Sequence, residues 1–248
     1  LKKLEFSQTN HKKIIQYCKR KKISYISSQF DLESLNLLYR LKVFHIKIAS
    51  GEINNYILLK KVAKIAKKIF ISSGMSTLSE VSEAIKILVK NGAKKKYITV
   101  LHCHTDYPTK LDDVNLYAMK NMEKKFNINV GYSDHTLRNE TAIASVALGA
   151  KVIEKHITLN KNMKGPDHRA SMEPKDFFNY LKLIRNTEVL LGSYLKKPTK
   201  SELRNKTLVR KSIVAKKKIN KGEIFSEQNI TCKRPEGGIS PIFWNKVM

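Results

Sequence analysis

The chain has 248 residues and 42% hydrophobic content, enough for one large domain, or a large domain with a small appendage, built on a buried core; disorder along the whole length is excluded. Lys and Arg number 48 against 21 Asp and Glu, a formal charge of +27. Such a balance suits nucleic acid, but the lysines are spread along helical stretches such as Lys60, Lys61, Lys64 and Lys94 to Lys96, with no zinc-finger spacing, basic-region heptads or interleaved aromatics. The charge reads as a solvated lysine-rich surface that draws small anions toward a cleft, and nucleic acid is not an expected partner. Cys18, Cys103 and Cys232 form neither a disulfide framework nor a CxxC metal site and fit reduced thiols. No apolar run approaches the ~20 residues of a membrane helix, and there is no signal-like block, so the expectation is a soluble, cytoplasmic protein without a membrane partner.

In chain order, a helical pattern from Asn10 to Lys21 precedes a β run at Ile23 to Ser27. Further β runs follow at Val43 to Ala49, Ile69 to Ser72, Tyr97 to Cys103, Ile128 to Tyr132 and Lys151 to Ile157. Between them lie amphipathic patterns, among them Tyr56 to Lys68, Ser79 to Asn91 and Asn139 to Ala147. Strand and helix alternating in this way indicate an α/β fold of parallel βα units. Six units are countable, whereas a closed (β/α)₈ TIM barrel needs eight. The choice lies between an open doubly wound sheet and a barrel lacking its first two βα units, and the mid-domain character of Leu1 to Ser7 favours the barrel. Pro174 to Leu191 reads as the last barrel helix, capped by Gly192, and the lysine-rich stretch around Pro198 as a linker. Ser212 to Ala215, the turn Asn220-Lys221-Gly222 and Ile230 to Lys233 then read as a small β-rich module, expected to be incomplete at Met248. The expected division is therefore a barrel domain over 1–192, a linker over 193–209 and the small module over 210–248.

The chemistry in this architecture belongs to the strand ends. His135 and His156 come directly after two short apolar runs, Asn127 to Tyr132 and Lys151 to Ile153, with one helical pattern between them, so both fall at the carboxyl edge of one parallel sheet, where paired neutral imidazoles suit a divalent transition metal. Asp134 and Glu154 are the expected partners orienting the two rings. Lys47-Ile48-Ala49-Ser50-Gly51-Glu52 brings a cation, a hydroxyl and a carboxylate to another strand end, and Ser28, Ser72 and Ser133 add hydroxyls at three more, together a cradle for phosphate. His102, Cys103, His104 and Asp106 form a possible metal set, yet neighbours on a strand point to opposite faces and these four are not expected to converge. Tyr107, before Pro108, is a candidate substrate-contacting hydroxyl.

Lys-Ile-Ala-Ser-Gly-Glu, Ser-Ser-Gly-Met, Leu-His-Cys with Tyr-Pro, Tyr-Ser-Asp-His-Thr, Ile-Glu-Lys-His, Gly-Pro-Asp-His, and Lys-Arg-Pro with Gly-Ile-Ser-Pro occur in that order, and through them the chain resembles the sialic acid synthase family over nearly its whole length. The resemblance implies a (β/α)₈ barrel whose third to eighth strands are present here, followed by a small antifreeze-like (SAF) domain. It implies condensation of phosphoenolpyruvate with an open-chain N-acylated amino sugar, giving a nonulosonic acid of the N-acetylneuraminate, legionaminate or pseudaminate type and phosphate. His135 and His156 would hold the metal, Mn2+ in preference to Mg2+ or Co2+, and act with Glu52 and Tyr107 as the catalytic set. Lys47, Ser50, Ser72, Ser133 and Ser28 would contact phosphoenolpyruvate, Thr105 would stand at a further phosphate contact, and Asp167, with Glu52 and Tyr107, would face the sugar. Arg234 would reach the barrel of a partner subunit in a homodimer. The chain departs from the family in having Ser28-Gln29-Phe30 where Thr-Pro-Phe is frequent, and Thr105 where Asn is common. The family's first two strands supply a catalytic carboxylate and a second phosphate-binding lysine; both would lie before Leu1, so these 248 residues alone are expected to be inactive. The competing reading is a non-catalytic basic protein on the same scaffold that contacts polyanions.

Overall fold

A computed structural model describes residues 5–248; Leu1 to Leu4, where the expected barrel domain and its mid-domain opening begin, lie outside the described residues. The chain divides into two compact units, Leu1–Gly192 and Ser193–Met248.

In the first unit, strands β1 (Ser27–Ser28), β2 (His45–Ile48), β3 (Lys68–Ser72), β4 (Ile98–Cys103), β5 (Asn129–Asp134) and β6 (Ile153–Lys155) form one parallel sheet in strictly sequential order. Helices α1 (Gln8–Arg20), α2 (Leu32–Arg40), α3 (Tyr56–Ile65), α4 (Leu78–Lys90), α5 (Leu116–Phe126), α6 (Glu140–Ala147) and α7 (Pro174–Leu191) alternate with them. A doubly wound sheet reverses its strand order at a switch point and carries helices on both faces. This sheet never reverses, so right-handed crossovers put every connecting helix on one face and the sheet curls around the other. The result is a six-stranded half-barrel, and the doubly wound alternative is set aside.

The two faces divide by residue parity. Ile46, Ile48, Ile69, Ile71, Ile98, Val100, Val130 and Tyr132 pack into one core with Leu35, Leu58, Leu59, Val62, Val81, Ile85, Leu88, Met119 and Met122 from the helices. Burying a residue of this size contributes roughly 1.5–3 kcal/mol, so register is strongly specified: a one-residue slip would turn Lys47 or Ser133 into that layer. The alternate positions, Lys47, Phe70, Ser72, Thr99, Leu101, Cys103, Gly131 and Ser133, therefore face the concave side. A smaller cluster of Ala142, Val146, Met172, Tyr180 and Ile184 joins α6 to α7.

Two helices without a named sequence pattern, α2 and α5, complete the alternation; α2 starts where Asp31 Oδ1 accepts the Ser34 N–H at 2.6 Å. At the sheet edges the strands are shorter than their β-prone sequence. Tyr25 and Ile26 stay outside the ladder, and beyond Lys155 the chain pairs with the stretch before α7, Thr158 N–H donating to Met172 O at 2.8 Å.

In the second unit, helix α8 (Lys200–Val209) opens on a capping box formed by Thr199 and Glu202, so a helix occupies much of the stretch read as linker. Strands β7 (Ser212–Ala215) and β8 (Ile230–Lys233) pair antiparallel, and a short helix α9 (Trp244–Val247) ends the chain. Ser212 Oγ gathers the turn after β8, accepting from Gly237 N at 3.1 Å and Gly238 N at 3.0 Å.

Candidate active site

The carboxyl ends of β2 to β6 deliver their concave-side residues to one place. Ser133↔Glu154 and Cys103↔Ser133 are register partners, as are Ser28↔Lys47. Glu154 is the junction: its Oε1 accepts from Ser133 Oγ at 2.6 Å and from Lys47 Nζ at 3.1 Å. Lys47 is mostly shielded (side chain 13% exposed), so its charge is worth more here than on the surface. Beside it Ser50 Oγ accepts the Gly74 N–H at 3.1 Å and lies 3.8 Å from Cys103 Sγ. A Cβ on Gly74 would come within 2.7 Å of both Ser50 Oγ and Thr105 Cγ2, so glycine lets these side chains close on the backbone. Ser72 is 2% exposed and its Oγ has no hydrogen-bond partner among the described residues, leaving a buried donor unspent.

Three rings meet next to this cation. Tyr107 lies 4.0 Å from His135 and 5.2 Å from His156 between ring centroids, and the two imidazoles are 5.3 Å apart with perpendicular planes. His135 Nδ1 is 2.5 Å from His104 O; a carbonyl only accepts, so Nδ1 carries the proton and the Nε2 lone pair is uncommitted, 3.3 Å from Ser133 Oγ. Burial, with His156 alongside, holds His135 below the ordinary imidazole range, and the His104 carbonyl opposes this only in part. Neutral imidazole with a fixed tautomer is the form that ligates a metal, so His135, with the His156 ring facing it, fits a divalent cation. Asp167, in the left-handed region at φ 64°, brings Oδ2 to 3.9 Å from His156 Nδ1. Burial pushes the Tyr107 hydroxyl up to about 12, aided by Cys103, Asp167 and Glu154, so it remains a neutral donor. Burial likewise raises the Cys103 thiol.

Of the residues singled out in the sequence, Lys47, Ser50, Ser72, Thr105, Tyr107, Ser133, His135, His156 and Asp167 share this mouth. Ser28 ends β1 beside Lys47 and is exposed, and Glu52, in the turn after β2, accepts from Asn55 Nδ2 at 2.7 Å. Arg234 follows β8 in the second unit and is exposed. Asp134 does not orient His135: it lies on the opposite face, bound by Thr136, Lys155 and Tyr180. Glu154, expected beside a histidine ring, instead joins Lys47 to Ser133; its even spacing from His156 places both on the concave face and was the available signal. As expected, His102 and Cys103 diverge, His102 donating to Val114 O at 2.7 Å. His104, Asp106 and Asp113 do bring one potential ligand atom each within 4.8 Å, but both aspartates are exposed and His104 Nδ1 already accepts the Asp106 N–H.

The NeuB family profile matches residues 1–196 and the SAF domain profile residues 210–248. The N,N'-diacetyllegionaminic acid synthase of Campylobacter jejuni is 50% identical over 99% of this chain and 74% of its own length. The Legionella pneumophila protein of the same name is 40% identical over 97% of this chain and 68% of its own. The crystal structure of the N-acetylneuraminic acid (sialic acid) synthetase of Leptospira borgpetersenii superposes with a TM-score of 0.75 at 31% identity, covering 81% of this chain and 70% of that one.

Proposed function

The chain belongs to the NeuB family and carries a SAF domain, and from that membership we propose that it is a phosphoenolpyruvate-dependent nonulosonic acid synthase. It joins C3 of phosphoenolpyruvate to the aldehyde carbon of an open-chain N-acylated amino sugar; water adds at C2 and the C–O bond to phosphate breaks, releasing inorganic phosphate. We read the half-barrel as strands three to eight of a (β/α)₈ barrel and residues 210–248 as part of an antifreeze-like domain.

The observation that carries this reading is the junction of a shielded lysine and an unspent serine hydroxyl with two facing imidazoles on one concave mouth. Lys47 with Ser50, Ser72 and Ser133 offers a charge and hydroxyl donors to a phosphate, and Ser28 and Thr105 stand beside them. His135 and His156 would hold the cation, for which Mn2+ is the first candidate; when bound, it supplies Lewis-acid polarisation of the aldehyde and activation of water. Tyr107 donates a hydrogen bond to the sugar, Asp167 and Glu52 accept from its hydroxyls, and the mouth holds both substrates in reacting geometry. Arg234 is assigned to the sugar's acylamino group in a partner subunit.

With half of its residues identical to a diacetyllegionaminic acid synthase, the first-choice sugar is the 2,4-diacetamido hexose leading to legionaminate. The test gives a polypeptide that includes the two βα units expected before Leu1 phosphoenolpyruvate, Mn2+ and, in turn, that sugar, its pseudaminate counterpart and N-acetylmannosamine. Mass spectrometry should find the nonulosonic acid with the first sugar at the highest kcat/KM. Turnover confined to N-acetylmannosamine would reassign the substrate, and no product from any sugar would reject the synthase reading.

A further inference from the structure

Behind the histidine pair, on the helix side of the sheet, lies a closed polar network that the reaction itself does not use. Asp134 and Lys155 are register partners on β5 and β6, and their side chains form an ion pair at 3.0 Å with exposures of 0% and 2%. Asp134 Oδ1 accepts from Thr136 N at 2.9 Å and Thr136 Oγ1 at 2.8 Å, and Oδ2 accepts from Tyr180 OH of α7 at 2.9 Å. Lys155 Nζ also donates to Thr136 O and sits 5.7 Å from the centroid of the Tyr180 ring. The carboxylate thus has four donors and the ammonium is enclosed, so the network is satisfied throughout.

A buried ion pair is weak evidence for stability, because desolvating both charges costs about as much as their attraction returns; apolar residues of similar volume often serve as well. What such a pair does specify is register. Asp134 immediately precedes His135 and Lys155 immediately precedes His156. Because side chains alternate, fixing Asp134 and Lys155 toward the helices fixes both imidazoles toward the concave side and opposite each other. A slip of one residue in β6 would carry His156 into the helix layer. β6 has only three residues, so its own short backbone ladder to β5 constrains it little.

We propose that Asp134, Lys155 and Tyr180 form a clamp that sets the register of β5 and β6, and so act as positioning residues for the divalent-metal site of His135 and His156. This rests on the metal reading of the pair. The clamp works through the backbone: Lys155 and Asp134 hold the two strand ends together, and Tyr180 ties that junction to α7, which packs on α6.

The experiment titrates the chain, together with the two βα units expected before Leu1, with Mn2+, followed by electron paramagnetic resonance, beside thermal unfolding of the same samples. The informative variant is the double substitution Asp134→Leu with Lys155→Met, which removes both charges and leaves neither unpaired, with Tyr180→Phe as the mild companion. The clamp predicts that the double variant stays folded with a melting temperature near that of the parent, yet binds Mn2+ roughly ten- to a hundredfold more weakly, and that Tyr180→Phe weakens binding in the same direction by a smaller factor. A purely structural role predicts affinity that follows the melting temperature. A folded double variant with unchanged Mn2+ affinity therefore overturns the clamp, and so does a Tyr180→Phe variant with unchanged affinity if the double variant does not fold. A parent chain that binds no Mn2+, matching His156→Ala, removes the metal reading and the clamp with it, a result distinct from either.

Discussion

At the scale of single residues, side chains that leave a physical demand unmet mark where ligands or sequence departures act. Ser72 and Gln29 are both buried and lack hydrogen-bond partners among the described residues. The Ser72 hydroxyl lies on the concave side, where the proposed phosphate would use it. Gln29, at 0% exposure, occupies the position where the family frequently has Pro, and an amide with neither group bonded is costly at about 1–3 kcal/mol. Gln29→Met conserves volume and removes both orphans, so urea unfolding should show a gain of about 1–2 kcal/mol. A loss instead would mean that the amide has a partner in solution. Tyr107, with its hydroxyl pushed up to about 12, stays protonated across the working range and keeps its donor role.

At the scale of elements, the strand ends place the site and the strand interiors hold it there. Gly131 on β5 is the tightest point: an added Cβ would lie 2.7 Å from Leu101 Cδ2 and closer still to the carbonyl oxygen of Val152, which Tyr132 N–H already uses. Backbone cannot yield as a flexible side chain can, so Gly131→Ala should destabilise the first unit by about 1–3 kcal/mol in denaturant. Gly51, with nothing within 4 Å of its Cβ position, should accept Ala without loss. Equal tolerance at both sites would contradict the register of β5 against β4 and β6. These central strands were legible in the sequence, because Ile69 to Ser72 and Ile128 to Tyr132 are short apolar runs bounded by turn residues. The edges were not: Ile23 to Tyr25 has the composition of a strand, but at the rim only Ser27 and Ser28 find partners, a tertiary circumstance no local pattern carries. Helices α2 and α5 had no named pattern, and in α5 the lysines and asparagines blur the period that Met119, Met122 and Phe126 set. The histidines were readable from their spacing, whereas the Lys47–Glu154 pairing, spanning 107 residues, emerges only once the sheet order is known.

At the scale of the whole molecule, the chain joins a half-barrel that carries the candidate site to a second unit that carries Arg234. Among the described residues no helix is long and apolar enough to cross a membrane, and the formal charge of +27 suits the proposed anionic substrate, phosphoenolpyruvate. The proposed homodimer with Arg234 acting in trans predicts complementation: mixing inactive His135→Ala and Arg234→Ala forms, each with the preceding βα units, creates one intact site per mixed dimer and restores activity after subunit exchange. No recovery would assign Arg234 to its own barrel or to none. The central claim, that the paired imidazoles hold the metal on which condensation depends, is tested most directly by phosphate release from phosphoenolpyruvate in the presence of the diacetamido sugar, comparing the parent that includes the preceding βα units with its His156→Ala form at matched Mn2+ and with folding checked by circular dichroism. The parent should release phosphate in step with nonulosonic acid, and the folded His156→Ala form should bind no Mn2+ and release none; full turnover by that variant without bound metal would contradict the account.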